Sequence, residues 1–202
     1  NEDGRGLHLG QFNTGDHNLA ICKDGTYYTT SFDLSSRYQG DLLKIEKLDT
    51  NKVYTVLYYD KGVTSFYVKR FSFDVSDNTP VSFISESKGS YLVEFSDDLH
   101  PQFEIIFGGK NVNREPEQVD AEEFIAKKGL QAKGKKVSPF DVKSVAFVEP
   151  LVKEGDEPAE ADEEPADGIH AGENQAGEID NSDVEDPLDL NIDDDDAQLR
   201  LF

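Results

Sequence analysis

The chain has no methionine and no tryptophan, and only one cysteine in 202 residues. A lone thiol, Cys22, excludes an intramolecular disulfide and favours a reducing compartment. Every apolar run falls well short of the roughly 18 residues that a membrane-crossing helix requires, so no membrane association is expected. No signal-peptide pattern opens the chain. The histidines, His8, His17, His100 and His170, are scattered without metal-ligand spacing. A P-loop, a Gly-x-Ser-x-Gly elbow and a dinucleotide fingerprint are all missing, and the GRG at residues 4–6 reads as a turn. No catalytic residue and no metal site are expected among these residues.

Basic residues are also scarce: 20 Lys and Arg against 42 Asp and Glu, a formal net charge of −22. The imbalance is local. Of the acids, 19 lie beyond residue 150, where the only bases are Lys153 and Arg200, so residues 151–202 carry a net −17 and residues 1–150 a net −5. The chain therefore divides into a nearly balanced body, 1–150, and an acidic tail, 151–202. Nearly all the Phe and Tyr residues fall in the body. The tail combines high charge with few apolar residues, cannot bury enough surface to offset its ordering entropy, and is expected to be disordered. Its aspartate run at 193–196 lacks the alternating spacing and glycine of a calcium loop. The opening NEDGRG is a turn signal with no strand before it, so the chain reads as a fragment of a longer protein.

The body reads as strand after strand. Residues 18–32 have β-rich arms around Asp24-Gly25, a dipeptide suited to a two-residue hairpin turn. Residues 52–73 repeat the plan with a turn at 60–62, and residues 81–95 repeat it again around Lys88-Gly89. Another strand is expected over 101–109, a polar loop over 111–118, and a further strand over 144–150. Asp120 followed by Glu123 is a capping-box signal for one helical turn. The expected class is all-β, as a sandwich, barrel or propeller. The first two hairpin tips lie about 36 residues apart, which suits a propeller blade, and the body would hold about three.

Against this acidic background, residues 127–136 read KKGLQAKGKK: five lysines, Lys127, Lys128, Lys133, Lys135 and Lys136, and no acid. A flexible glycine-containing loop of this kind would let ammonium groups reach successive phosphates, releasing counterions and giving sequence-independent, salt-sensitive affinity for nucleic acid. Lys69 and Arg70 are candidates for the same surface, and Arg5, Arg37, Lys110 and Arg114 could extend it. The alternative is a solvated loop that only aids solubility. A tethered polyanionic tail could compete with nucleic acid for such a surface.

The stretches DGRGLHLGQF, LAICKDGTYYTTSFDLS, LLKIEKLDTNKVYTVLYYD and FYVKRFSF within residues 3–73 resemble the C-terminal domain of the A subunit of bacterial type IIA topoisomerases, nearest to topoisomerase IV of the Bacteroides group. The similarity continues through FEIIFGG (103–109), AEEFIAKKGLQAKGKKVSPFDV (121–142) and VEP (148–150). The resemblance implies a partial β-pinwheel, a propeller-like disc of hairpin-built blades that binds and bends double-stranded DNA on a basic rim. It also implies an ATP-hydrolysing, Mg2+-using parent enzyme whose chemistry lies in other regions and in the B subunit. Pairing with a second A subunit is implied too, as is a cytoplasmic, nucleoid-associated location. No tyrosine of this chain is then the nucleophile. Gyrase relatives carry a Gln-Arg-Arg-Gly-Gly-Lys-Gly box; GLQAKGKK (129–136) lacks its Arg-Gly-Gly centre, which favours decatenation and relaxation over supercoiling. The last five residues, QLRLF, resemble the pentapeptide by which replication proteins dock on the sliding clamp, with Gln198, Leu199, Leu201 and Phe202 as anchors. The rival expectation is a protein-interaction propeller without significant DNA affinity.

Overall fold

Turn chemistry sets the first pair of strands. Lys23, Asp24 and Gly25 separate β1 (His17–Cys22) from β2 (Thr26–Ser31), one residue more than the expected two-residue turn. Gly25 has a φ of +82°, in the left-handed region that favours glycine, and Asp24 Oδ1 accepts from Thr26 N at 3.0 Å and Thr26 Oγ1 at 2.7 Å. The strands pair antiparallel from His17 opposite Ser31 to Ile21 opposite Tyr27. The computed structural model describes residues 9–31 and 38–153; the expected disorder of the tail, residues 193–196, Arg5, Arg37, His8, His170 and the terminal anchors Gln198, Leu199, Leu201 and Phe202 lie outside them.

Within the described residues the fold is all-β: three antiparallel sheets, one helical turn of four residues and a short 3-10 turn at Gly109–Asn111. The first sheet is ordered β3 (Leu42–Lys47), β1, β2, β6 (Val81–Ser82). The second is ordered β10 (Lys135–Lys136), β5 (Ser65–Phe71), β4 (Tyr54–Asp60), β7 (Tyr91–Ser96). The third is ordered β11 (Val142–Val148), β8 (Gln102–Phe107), β9 (Glu117–Asp120). The helical turn α1 (Ala121–Phe124) starts where expected: Asp120 Oδ1 accepts from Glu122 N at 2.7 Å and Glu123 N at 3.4 Å.

The middle sheet is covered on both faces, which is the arrangement of blades in a propeller-like domain. Alternation along β4 and β5 sends Tyr54, Val56, Tyr58 and Phe71 to one face, where they pack with Leu19, Ile21 and Tyr27 of the first sheet and with Phe73 and Phe83. Leu57 and Val68 go to the other face and meet Phe103, Ile105, Phe107 and Val145 of the third sheet, with Ala121, Ile125 and Val137. Phe73 is the hub of the first interface, its ring 4.5 Å from Tyr27, 4.8 Å from Tyr54, 5.0 Å from Phe71 and 5.5 Å from Phe83. At the margin of this interface a charged cluster links β3 to the middle sheet. Lys52 Nζ lies 2.6 Å from Asp97 and 2.7 Å from Glu46, Lys44 pairs with Asp97, and the Tyr54 hydroxyl donates to Glu46 at 2.7 Å. Burial would raise the Asp97 pKa, but the bonds from Lys44 and Lys52 outweigh it and hold the carboxyl below its usual range.

Two expectations need correction. Residues 81–95 do not form a hairpin: β6 pairs with β2 in the first sheet, while β7 pairs with β4 in the second. The reason is Phe83, fully buried between the sheets, whose amide donates to Gly25 O at 2.9 Å and so holds β6 beside β2. The segment 111–118 is not all loop, because β9 begins at Glu117 and pairs with β8. Strands β3 and β10 were not anticipated. Both are rich in charge (LLKIEK and KK), and both are edge strands in their sheets, where lysine is favoured.

Candidate nucleic-acid interface

The basic stretch is a strap drawn over one edge of the middle sheet. It leaves α1 with Ile125 buried between the second and third sheets, crosses the edge so that Leu130 packs against the first interface, and returns with Val137 buried in the second. The chain is fastened throughout. Lys128 N donates to Arg70 O at 2.8 Å, Ala132 N to Gly129 O at 2.9 Å and Val137 N to Phe66 O at 3.0 Å. Lys135 and Lys136 pair with Val68 and Tyr67 as β10, and the Tyr58 hydroxyl donates to Lys133 O. The sequence suggested a flexible loop; the structure shows a fastened one, because the two ends of the strap, at Lys128 and at residues 135–137, satisfy backbone groups of β5 that an open edge would leave unpaired.

The five lysines divide into two groups. Lys127, Lys128 and Lys136 are exposed and form no ion pair or side-chain hydrogen bond among the described residues. Lys133 and Lys135 are exposed but engaged. Lys133 Nζ lies 2.8 Å from the buried Asp60 carboxylate and 4.9 Å from the Tyr67 ring centroid, and the bond to Asp60 raises its pKa. Lys135 Nζ donates to Phe124 O at 3.0 Å and sits 3.8 Å from the Phe124 ring centroid. These contacts hold both ammonium groups at the surface.

Lys69 and Arg70 must be withdrawn from the set of surface contacts. Adjacent strand residues point to opposite faces, and here both faces are covered. Lys69 is 3 % exposed on the face toward the first sheet; its ammonium donates to Phe83 O at 2.8 Å and to Leu130 O, and lies 4.9 Å from the Phe71 ring centroid. Burial alone pushes its pKa down to about 8. Arg70 is 8 % exposed on the opposite face and donates to Glu122 Oε1 at 2.8 Å. Glu122 also meets His100 Nδ1 and, at 2.8 Å, Lys153 Nζ. Burial would raise the Glu122 pKa, but hydrogen bonds from Lys153, His100 and Arg70 outweigh it and bring it to about 2.

Of the residues suggested as extensions, Lys110 is exposed on the 3-10 turn. Arg114 stacks on the rings of Phe107 and Phe140, with its guanidinium carbon 5.0 and 4.3 Å from their centroids. Cys22 is buried against Ala20 and Tyr28, and burial raises its thiol pKa, away from the thiolate a nucleophile needs. Among the described residues no three His, Cys, Asp or Glu side chains gather as a metal site, and no helix is long and apolar enough to cross a membrane.

The geometry is a fixed basic strap on the edge of a stacked three-sheet body, and the likeness of the sequence is borne out by comparison with known families. A family model described as the topoisomerase C-terminal domain of Bacteroidota matches residues 1–149. The chain belongs to that family. Its parent class is thus the topoisomerases, which are enzymes. No curated protein matches the chain. Of the features of the site, sequence reasoning missed the buried fastening by Lys69 and Tyr58 and the ion cluster around Glu122. The only signal for the first was that KVYTVLYY and SFYVKRFSF are apolar at both odd and even positions, the mark of strands buried on two faces.

Proposed function

We propose that this domain binds and bends duplex DNA for a type IIA topoisomerase, as the C-terminal domain of the topoisomerase IV protomer that cleaves DNA, guiding a DNA segment during strand passage in decatenation and relaxation. The observation that carries the reading is the group Lys127, Lys128 and Lys136: three exposed ammonium groups without side-chain partners among the described residues, on a strap whose backbone is held in place. Ammonium groups on a fixed backbone neutralise phosphates without a large ordering cost, and their affinity is independent of base sequence and steeply salt-dependent. ATP and Mg2+ would act through other regions and the B subunit, and the second copy of the parent protomer would join through regions outside this chain. The location would be the cytoplasm, at the nucleoid. The acidic residues beyond 150 would compete with DNA as a tethered polyanion.

The engagement of Lys133 with Asp60 and of Lys135 with Phe124 favours a second reading, a platform for protein partners, including the sliding clamp through Gln198, Leu199, Leu201 and Phe202. Fluorescence anisotropy of a short labelled duplex across a salt series separates the two. DNA binding predicts tight association at low salt, little dependence on sequence, and stronger association after truncation beyond Glu157, the end of the first compact unit. No association at low salt would favour the platform.

A further inference from the structure

The strap is tied down by an unusual fastener. Lys69 is buried on the face of the middle sheet toward the first sheet, and among the described residues no carboxylate pairs with its ammonium. Its two acceptors are backbone carbonyls from different parts of the chain: Phe83 O, next to β6, and Leu130 O, in the middle of the strap. A buried cation held by two carbonyls and the face of the Phe71 ring, with no paired carboxylate among the described residues, carries a desolvation penalty, and an apolar residue of similar length would avoid it. At the other end, Gly134 has a φ of +90°, and a Cβ there would lie 2.5 Å from Val68 O, so only glycine lets the strap approach β5 closely enough for Lys135 and Lys136 to pair. Leu130 and Gly134 bracket the turn that carries Lys133 and leads to Lys136.

We infer that Lys69 and Gly134 are positioning residues for DNA binding: they fix the strap so that the exposed lysines present a preset row of charges, while touching no DNA themselves. This rests on the DNA-binding reading above. The physical effect is preorganisation. A free segment of the same charge would still contact phosphates, but would lose conformational freedom each time it bound. Loss of a positioning residue therefore lowers affinity without lowering the number of phosphates neutralised.

That distinction gives the test, made on the full chain with a short duplex. The variants are Lys69→Met, which keeps the length and removes the charge, and Gly134→Ala, which leaves every charge in place. Each is expected to weaken duplex binding about five- to tenfold at every salt concentration, with the slope of log K against log salt unchanged. Amide exchange of Lys128, Lys135 and Val137 should quicken, while core amides of β1, β4 and β8 keep their protection. A slope reduced by about one in Lys69→Met would show that Lys69 is itself a phosphate contact and would overturn the inference. So would unchanged exchange in the strap of both variants, or faster exchange with unchanged affinity. Failure of Lys69→Met to fold would leave Gly134→Ala to decide by the same criteria. If the wild-type chain binds no duplex, the DNA reading and this inference fall together; if it binds and the variants match it, only the inference falls.

Discussion

The two faces of the middle sheet hold the same strap in different ways. Toward the first sheet the interface is built from rings: Tyr27, Tyr54, Tyr58, Phe71, Phe73 and Phe83. The strap is fastened there by polar hooks, the Tyr58 hydroxyl on Lys133 O and the Lys69 ammonium on Leu130 O. Toward the third sheet the core has more aliphatic residues, and the strap enters and leaves through apolar anchors, Ile125 and Val137. The cation on that side, Arg70, is matched by a carboxylate, Glu122. Aromatic side chains with hydroxyl tips can fill a core and still offer a donor at its margin, which aliphatic residues cannot do. The aromatic side thus carries both stability and the geometry of the strap, and the aliphatic side anchors its ends.

The contrast can be broken most severely at Phe73. Its removal empties the centre of the aromatic interface, so Phe73→Ala is expected to cost ~3–5 kcal/mol by denaturant unfolding, against ~1–3 kcal/mol for Val145→Ala on the other side. A cost for Phe73→Ala below about 2 kcal/mol would mean that Phe73 is not the centre of its interface.

Glu122→Gln comes next, at ~1–3 kcal/mol, because it leaves the nearly buried Arg70 without its carboxylate. The pH dependence is specific. The folded pKa of Glu122, about 2, lies below its ordinary value. Its stabilisation is therefore full above the ordinary carboxylate range and is lost as pH falls toward about 2. Acid titrations of stability in the wild type should show this loss, and Glu122→Gln should show less of it.

Lys69 gives the same slope for the opposite reason, because here burial penalises the charged form. Its folded pKa, about 8, lies below its ordinary 10.5, so the unfolded chain binds the extra proton between those values and stability should rise with pH across that window. Chemical denaturation from pH 8 upward should show the rise in the wild type and not in Lys69→Met. Tyr58→Phe should be milder, about 1 kcal/mol, from loss of the hook on Lys133 O. Smallest of all, Lys127→Gln, Lys128→Gln and Lys136→Gln together should change stability by less than about 0.5 kcal/mol, because the side chains are exposed and unpaired among the described residues.

What could be read from the residues was local. Asp24-Gly25 fixed the first hairpin because the turn needs a positive φ, and the Asp120 cap was legible because its oxygen bonds amides two and three residues on. Pairings that depend on distant residues were not legible. The 81–95 stretch has two β-rich arms around a glycine, but burial of Phe83 against the first sheet decides that the arms part company. The basic stretch was visible from composition, whereas its attachment was not, since two lysines give no strand signal until β5 offers an edge. Lys69 and Arg70 looked like surface charges because local alternation predicts one inward residue, and only stacking on both faces buries two.

The central claim is that three lysines on a fastened strap, unpartnered among the described residues, form a phosphate-binding row. The most direct measurement is the salt dependence of duplex binding by the full chain and by the triple variant Lys127→Gln, Lys128→Gln, Lys136→Gln. If each lysine neutralises one phosphate, the slope of log K against log salt becomes shallower by about 2.7 and affinity falls at low salt. An unchanged slope with unchanged affinity would contradict the account.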